Sequence, residues 1–418
     1  MSKGRERALA AINHKSGKVP IDFGSLMVTG MHISTVEKLR EHYGLPKVPV
    51  KVFDPYQMLG EIDSDLREAM QLDTLGFAPY ANIFGVANKD WKEWTTPWNQ
   101  DVLIPGNLII EKLGDDMVLY PKGDKSAPPS AKMPDGGYFF DSIIRQEEFD
   151  DDELTADDNL EEFVPVSDEI LNYYKKVVSN PDFDKYLTLT DFGGSALGDI
   201  ALVPGPGLPH PKGIRDITEW YISTVLRQDL LHEIFERQTE LAIENLKKIH
   251  SVVKDKIDVV MTCGTDFGTQ NSSFCSTDTF DELYLPYYKK LNDWIHANTS
   301  WKTFKHSCGA VFDFMSHFID AGFDIINPVQ LSAANMDAKK LKNEFGKDLV
   351  FWGGGVDTQQ TLPFGKPEEV RAEVLSRCEI LSKDGGFVFN AIHNVQALTP
   401  IENIVAMVNA VHEFNGEL

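Results

Sequence analysis

Short β-type runs recur along the chain, and most are followed by a helical pattern. Eight can be read: Val19–Phe23, Leu72–Ala78, Tyr186–Asp191, Ile257–Cys263, Lys302–His306, Asp324–Asn327, Leu349–Trp352 and Gly386–Asn390. Several are nearly unbroken apolar stretches ended by Gly, Asp, Asn or His, as parallel strands covered on both faces require. Eight strand–helix repeats are the makings of an α/β fold of one kind, the (β/α)8 TIM barrel. The intervening helices are legible too. Ser276-Thr277-Asp278 starts a helix expected over Thr277–Thr299. Lys366–Asp384 carries Pro367 near its first turn and an apolar stripe of Val370, Val374, Cys378 and Leu381. Thr399–Phe414 has Pro400 in its first turn, and Arg215–His250 is long enough for two helices broken near Asp229.

The repeats are regular only toward the C-terminus. Between the second and third runs lies an irregular stretch, 82–180. It holds a hairpin pattern (Leu108–Leu113 and Met117–Tyr120 around Gly114-Asp115-Asp116), a segment rich in Pro and Gly (Lys122–Gly137), and an acidic block. We expect it to be an insertion over the barrel mouth, within a single domain spanning 1–418. The length of 418 residues would by itself also suit two or three domains.

Charge narrows the partners. Lys and Arg number 40 and Asp and Glu 64, a net charge of −24. Duplex nucleic acid and anionic membranes both demand a concentrated positive surface, so neither is an expected partner. Ten of the carboxylates fall in Glu147–Glu162, which has no Lys or Arg. Such a block repels itself and reads first as solvated surface. The four cysteines, Cys263, Cys275, Cys308 and Cys378, are too few for a disulfide framework. The N-terminal segment lacks an apolar signal core, and no run of about 18 apolar residues occurs. A cytoplasmic protein is expected.

In a barrel of this kind, reactive groups gather where strands end. The sharpest such place is His306-Ser307-Cys308-Gly309. On extended backbone, residues two apart project to the same side, so imidazole and thiol can converge, and both are zinc ligands. A third ligand is needed, and His393, ending the last run in Asn390-Ala391-Ile392-His393-Asn394, is the candidate. Asp266 follows the neighbouring fourth run and can serve as ligand, as a partner orienting His306, or as a proton acceptor. Other residues at strand ends are substrate-binding candidates: Asp22, Gln270, Asn327, Gln330 and Asp357. Gly353-Gly354-Gly355 could bring backbone close to a ligand, and Asp191-Phe192-Gly193-Gly194-Ser195 ends the third run. Cys263 and Cys378 read as buried structural thiols. No Walker loop, G-x-S-x-G elbow or H-E-x-x-H motif is present.

At these residues the chain resembles the uroporphyrinogen decarboxylase superfamily, whose fold is a (β/α)8 barrel. The likeness runs from Arg5–Phe23 to Thr399-Pro400-Ile401-Glu402-Asn403 and is clearest from Ile257 onward. Decarboxylases of the family carry an Arg-rich segment after the first strand; here that position reads Gly24-Ser25-Leu26-Met27-Val28-Thr29-Gly30, without Arg. The corrinoid-linked zinc methyltransferases fit better, because their His-x-Cys matches His306 and Cys308. Their third ligand is usually a Cys six residues before Thr-Pro, where this chain has His393 instead. Asp22 matches a fourth ligand only loosely.

The resemblance implies a zinc-dependent methyltransferase acting on a small thiol or a methyl ether/phenolate. Its cobalamin would ride on a separate corrinoid protein, since no Asp-x-His-x-x-Gly loop occurs in this chain. A homo-oligomer stays open. The alternative is decarboxylation of a porphyrinogen or other polyacid, and a third reading is a catalytically silent barrel whose acidic block recruits a partner.

Overall fold

The computed structural model describes residues 2–192 and 196–417. Its centre is a curled parallel sheet of seven strands: Thr74–Phe77 (β1), Leu187–Asp191 (β2), Val259–Cys263 (β3), Lys302–His306 (β4), Ile325–Asn327 (β5), Val350–Trp352 (β6) and Phe387–Val388 (β7). They neighbour one another in chain order. The first expected run, Val19–Phe23, does not form a strand of this sheet. It contributes one parallel bridge, Ile21 to Phe389. Even so, it is bonded to both sheet edges. The Phe389 amide donates to Pro20 O (2.8 Å), the Asp22 amide to Phe389 O (2.9 Å), and the Asp73 amide to Ile21 O (2.9 Å). The ladder stops short for two reasons. Pro20 has no amide hydrogen to give, and the Ile21 amide is taken by the Asp73 carboxylate at 2.9 Å instead of a strand carbonyl.

Alternate strand residues fill the inside of the curl. Leu187, Leu189, Val259, Met261, Phe304 and Trp352 form one buried cluster, closed by Ala8, Ala11 and Ile12 of the helix Lys3–Ile12. Phe304 of β4 and Trp352 of β6 are not on neighbouring strands, yet their rings meet at 5.5 Å. Such a pair contributes roughly 0.5–1.5 kcal/mol beyond its area burial. The phase of β4 follows: with Phe304 inside, His306 two residues on also faces the inside, at the strand's C-terminal end.

Helices cover the outer face. Pro367–Leu381 buries the expected stripe of Val370, Val374, Cys378 and Leu381. The expected helix Thr277–Thr299 is two, Thr277–Leu283 and Leu285–Asn298, because Pro286 cannot continue the hydrogen-bond ladder. Ser276 caps the first by accepting from the Thr279 amide. The break expected near Asp229 falls at Arg227, between Ile217–Leu226 and Gln228–Val253. The last helix is Ile401–Phe414, with Pro400 capping it rather than inside its first turn.

The stretch 82–180 contributes to two four-stranded sheets. One pairs Asp101–Ile104 with Val50–Asp54, so it reaches back before residue 82. The other contains the expected hairpin, Ile110–Leu113 against Asp116–Leu119. The acidic block is anchored by arginines: Arg227 bonds Asp151 (2.8 Å), Arg215 bonds Glu162 (2.8 Å), and Arg237 pairs with Asp157. Among the described residues, no helix is long and apolar enough to cross a membrane.

Candidate metal centre

The ends of β4 and β7 bring three donors together. One ligand atom each of His306, Cys308 and His393 lies within 4.8 Å of the others, the one such group of three or more His, Cys, Asp or Glu among the described residues. His306 Nε2 is 3.4 Å from Cys308 Sγ. The rings of His306 and His393 meet edge-on, centroids 5.4 Å apart.

His306 is held in a defined state. It pairs in register with Asn327 of β5, and its Nδ1 is 2.7 Å from Asn327 Oδ1. The carboxamide cannot turn over without cost, because Asn327 Nδ2 donates to Trp352 O at 2.9 Å. Asn327 therefore presents its oxygen, Nδ1–H donates to it, and Nε2 keeps its lone pair toward Cys308. Burial pushes the His306 pKa down to about 4, with the Asn327 bond opposing and Lys305 adding. Burial likewise takes His393 to about 4, aided by His306 and opposed by Asp266. Both rings are neutral at pH 7, the form that ligates.

Cys308 sits on a loop fixed from two sides. Its amide donates to Asp266 Oδ1 at 2.6 Å, and the next amide, of Gly309, donates to Gln330 Oε1 at 2.8 Å. Gly309 has φ +89° and packs so closely on Gly268 that a Cβ would lie 2.3 Å from the Gly268 carbonyl carbon. Burial raises the Cys308 thiol well above its ordinary range, and Asp266 raises it further. A bound cation inverts that logic, since a coordinating thiol is deprotonated. Asp266 itself is raised by burial, with the Cys308 amide and Lys305 opposing. Its Oδ1 is 3.9 Å from His306 Nε2.

His393 is set differently. The Asn394 amide donates to His393 Nδ1 at 2.8 Å, leaving the ring proton on Nε2. Ligation through Nε2 requires that proton to move to Nδ1 and the amide bond to open. Asn394 is in turn held by Met27 O (2.7 Å) and Gln57 Oε1 (2.8 Å). Two neutral imidazoles and a thiol are a donor set that suits zinc.

A cavity of about 620 Å³ opens onto His306, His393 and Asp266. Its wall includes Asp54, Tyr56, Asp191, Phe192 and Asp199. The remaining sequence candidates lie apart from the three donors. Asp22 is buried inside the curl, accepting from Thr74 Oγ1 (2.6 Å) and Trp352 Nε1 (2.9 Å). Gln330 bridges Gly309 to Gln270, donating to Gln270 Oε1 at 3.0 Å. Asp357 accepts from the Gln359 and Gln360 amides, ahead of the short helix Thr361–Phe364. The three glycines serve packing: a Cβ on Gly354 would meet Val329 O at 2.7 Å, and one on Gly355 the Phe389 ring at 2.2 Å. Cys263 Sγ lies 3.0 Å from Tyr288 OH, a buried thiol. The expected site at Asp191–Ser195 extends into Gly193, Gly194 and Ser195, outside the described residues.

Sequence reading missed Asp54, Asp199 and Lys305. The two acids sit in no motif and reach the cavity only through folding. Lys305 is fully buried, bonding His306 O (2.7 Å) and Thr265 O (2.5 Å). A Lys directly before the His-x-Cys pair, in an apolar run, was the one available signal.

Residues 211–414 match the family model described as uroporphyrinogen decarboxylase (URO-D). No curated protein matches the chain. Among solved structures, a methyltransferase from Methanosarcina mazei is similar, with 16% identity, a TM-score of 0.57 and 99% of each chain covered. At that identity the likeness speaks for the fold. The stretch 211–414 contains β3 to β7 and all three donors, so the likeness to uroporphyrinogen decarboxylase covers the part of the chain that carries the candidate site.

Proposed function

We propose that this protein is a zinc-dependent methyltransferase that moves a methyl group between a small substrate, a thiol or a methyl ether/phenolate, and a separate corrinoid protein. The convergence of His306, Cys308 and His393 within 4.8 Å at the cavity carries the reading. The methyltransferase name of the similar Methanosarcina structure agrees with it. We read the curled sheet, with Pro20–Asp22 bonded to both edges, as a closed (β/α)8 barrel, and 82–180 as an acidic insertion within one domain.

His306, Cys308 and His393 would hold the metal. When bound, zinc supplies Lewis acidity that stabilises a sulfur or oxygen anion. The protein's own part is positional. Asn327 aims His306 Nε2, Asp266 and Gln330 fix the Cys308 loop, and the cavity beside the donors gives the substrate room. Asp266 is placed to take the proton that an entering thiol or phenol gives up. A polycarboxylate would find no Lys or Arg on the described cavity wall, which counts against the decarboxylase alternative.

The test supplies zinc-loaded protein with methylcobalamin and small thiols, and in reverse with cob(I)alamin and aryl methyl ethers. Methyl transfer in either direction supports the proposal. Release of carbon dioxide from uroporphyrinogen by metal-stripped protein would replace it.

A further inference from the structure

The cavity beside the metal donors is apolar and aromatic, yet its charged groups are all of one sign. Phe53, Tyr56, Phe163 and Phe192 line it together with the carboxyls of Asp54, Asp191, Asp199, Asp266 and Glu162. No Lys or Arg lines it among the described residues. The internal residues outside that set, Gly193, Gly194 and Ser195, carry no charge. Glu162 is answered by Arg215 at 2.8 Å. Lys305 lies behind the wall, its Nζ spent on the His306 and Thr265 carbonyls.

These acids do not form a second metal site. Among the described residues, His306, Cys308 and His393 are the one group of three donors close enough to share an ion. The other carboxyls are spread over a space of about 620 Å³, large for a metal and suited to an organic molecule. Aromatic faces beside dispersed carboxylates attract a positive group with an apolar body, through the ring quadrupole and direct charge. They repel a sulfonate or carboxylate, which would be desolvated there without a partner.

We infer that the substrate is a cation: a small thiol or aryl methyl ether whose far, non-reacting end carries an ammonium or other positive group. The inference rests on the methyltransferase reading and adds the substrate class. Burial holds Asp54 and Asp199 at about 6, so both are largely ionised at neutral pH and available to such a group.

A matched pair of probes tests it: 2-(4-methoxyphenyl)ethylammonium and 3-(4-methoxyphenyl)propanoate, titrated calorimetrically into zinc-loaded protein. The two share a methyl ether and a ring and differ in the charge at the far end. The cation is expected to bind at least about tenfold more tightly, and Asp199→Asn and Asp54→Asn each to narrow that ratio. Equal or tighter binding of the anion, or binding of neither at millimolar concentration, overturns the inference. Methyl transfer by the zinc-loaded wild-type protein separates the two ideas. No transfer from either probe to cob(I)alamin, with the cation still bound more tightly, would fault the methyltransferase reading alone. Methyl transfer with the anion bound as tightly or more tightly would fault this inference alone.

Discussion

His306 and Asn327 are register partners on adjacent parallel strands, and the Asn327 carboxamide oxygen accepts from His306 Nδ1 at 2.7 Å. The ladder that builds the sheet thus also decides which imidazole nitrogen faces Cys308. Replacing Asn327 by Leu removes the acceptor while roughly keeping volume. We expect zinc affinity to fall about 10–100-fold, the usual cost of losing such a partner, with the circular dichroism spectrum retained. Chelator competition measures it, and unchanged affinity would show that Asn327 does not set the ligand.

Gly309 joins two loops by their backbones. A side chain there would adopt φ +89° and press on Gly268. Gly309→Ala is expected to cost more than the roughly 1–3 kcal/mol of the backbone strain alone, because a backbone contact must also open. Urea denaturation reads the loss. A stability change within about 0.5 kcal/mol would mean the loops are not interlocked as described.

Acid sensitivity has a specific source in His32, away from the candidate site. Its Nδ1 accepts from the Ser34 amide (3.2 Å), and its Nε2 faces Tyr138 O at 2.9 Å. Burial lowers its pKa from 6.5 to about 4. The unfolded chain therefore takes up this proton first. The stability is present above pH 6.5 and is lost as pH falls toward 4. Asp54, raised to about 6 by burial, works in the opposite direction, so the comparison must be between variants. His32→Gln keeps a donor and an acceptor without titrating. Relative to it, the wild type should lose about 2 kcal/mol between pH 7 and pH 5. Parallel stability curves for the two proteins would contradict this assignment.

The strands that bury both faces were legible because hydrophobic periodicity reports them directly: Val259–Cys263 is buried throughout. The first run misled because its apolar pattern hides a missing donor at Pro20 and a competing carboxylate at Asp73. His306 and Cys308 could be paired from the two-residue repeat of a strand, and His393 from its place at the end of the last strand run, where the family pattern has a Cys instead. Asp54 and Asp199 were invisible, since a lone acid acquires meaning only from the wall it joins. The stretch 82–180 was read as irregular because its strands are short and pair partly with residues before 82.

The most direct test is the zinc content of the purified protein beside His306→Ala, Cys308→Ala and His393→Ala, each checked for folding. We predict about one zinc per chain in the wild type and its loss, or affinity weakened by orders of magnitude, in every variant. Full zinc retention in all three variants, or a wild type that takes up no zinc, would contradict the account.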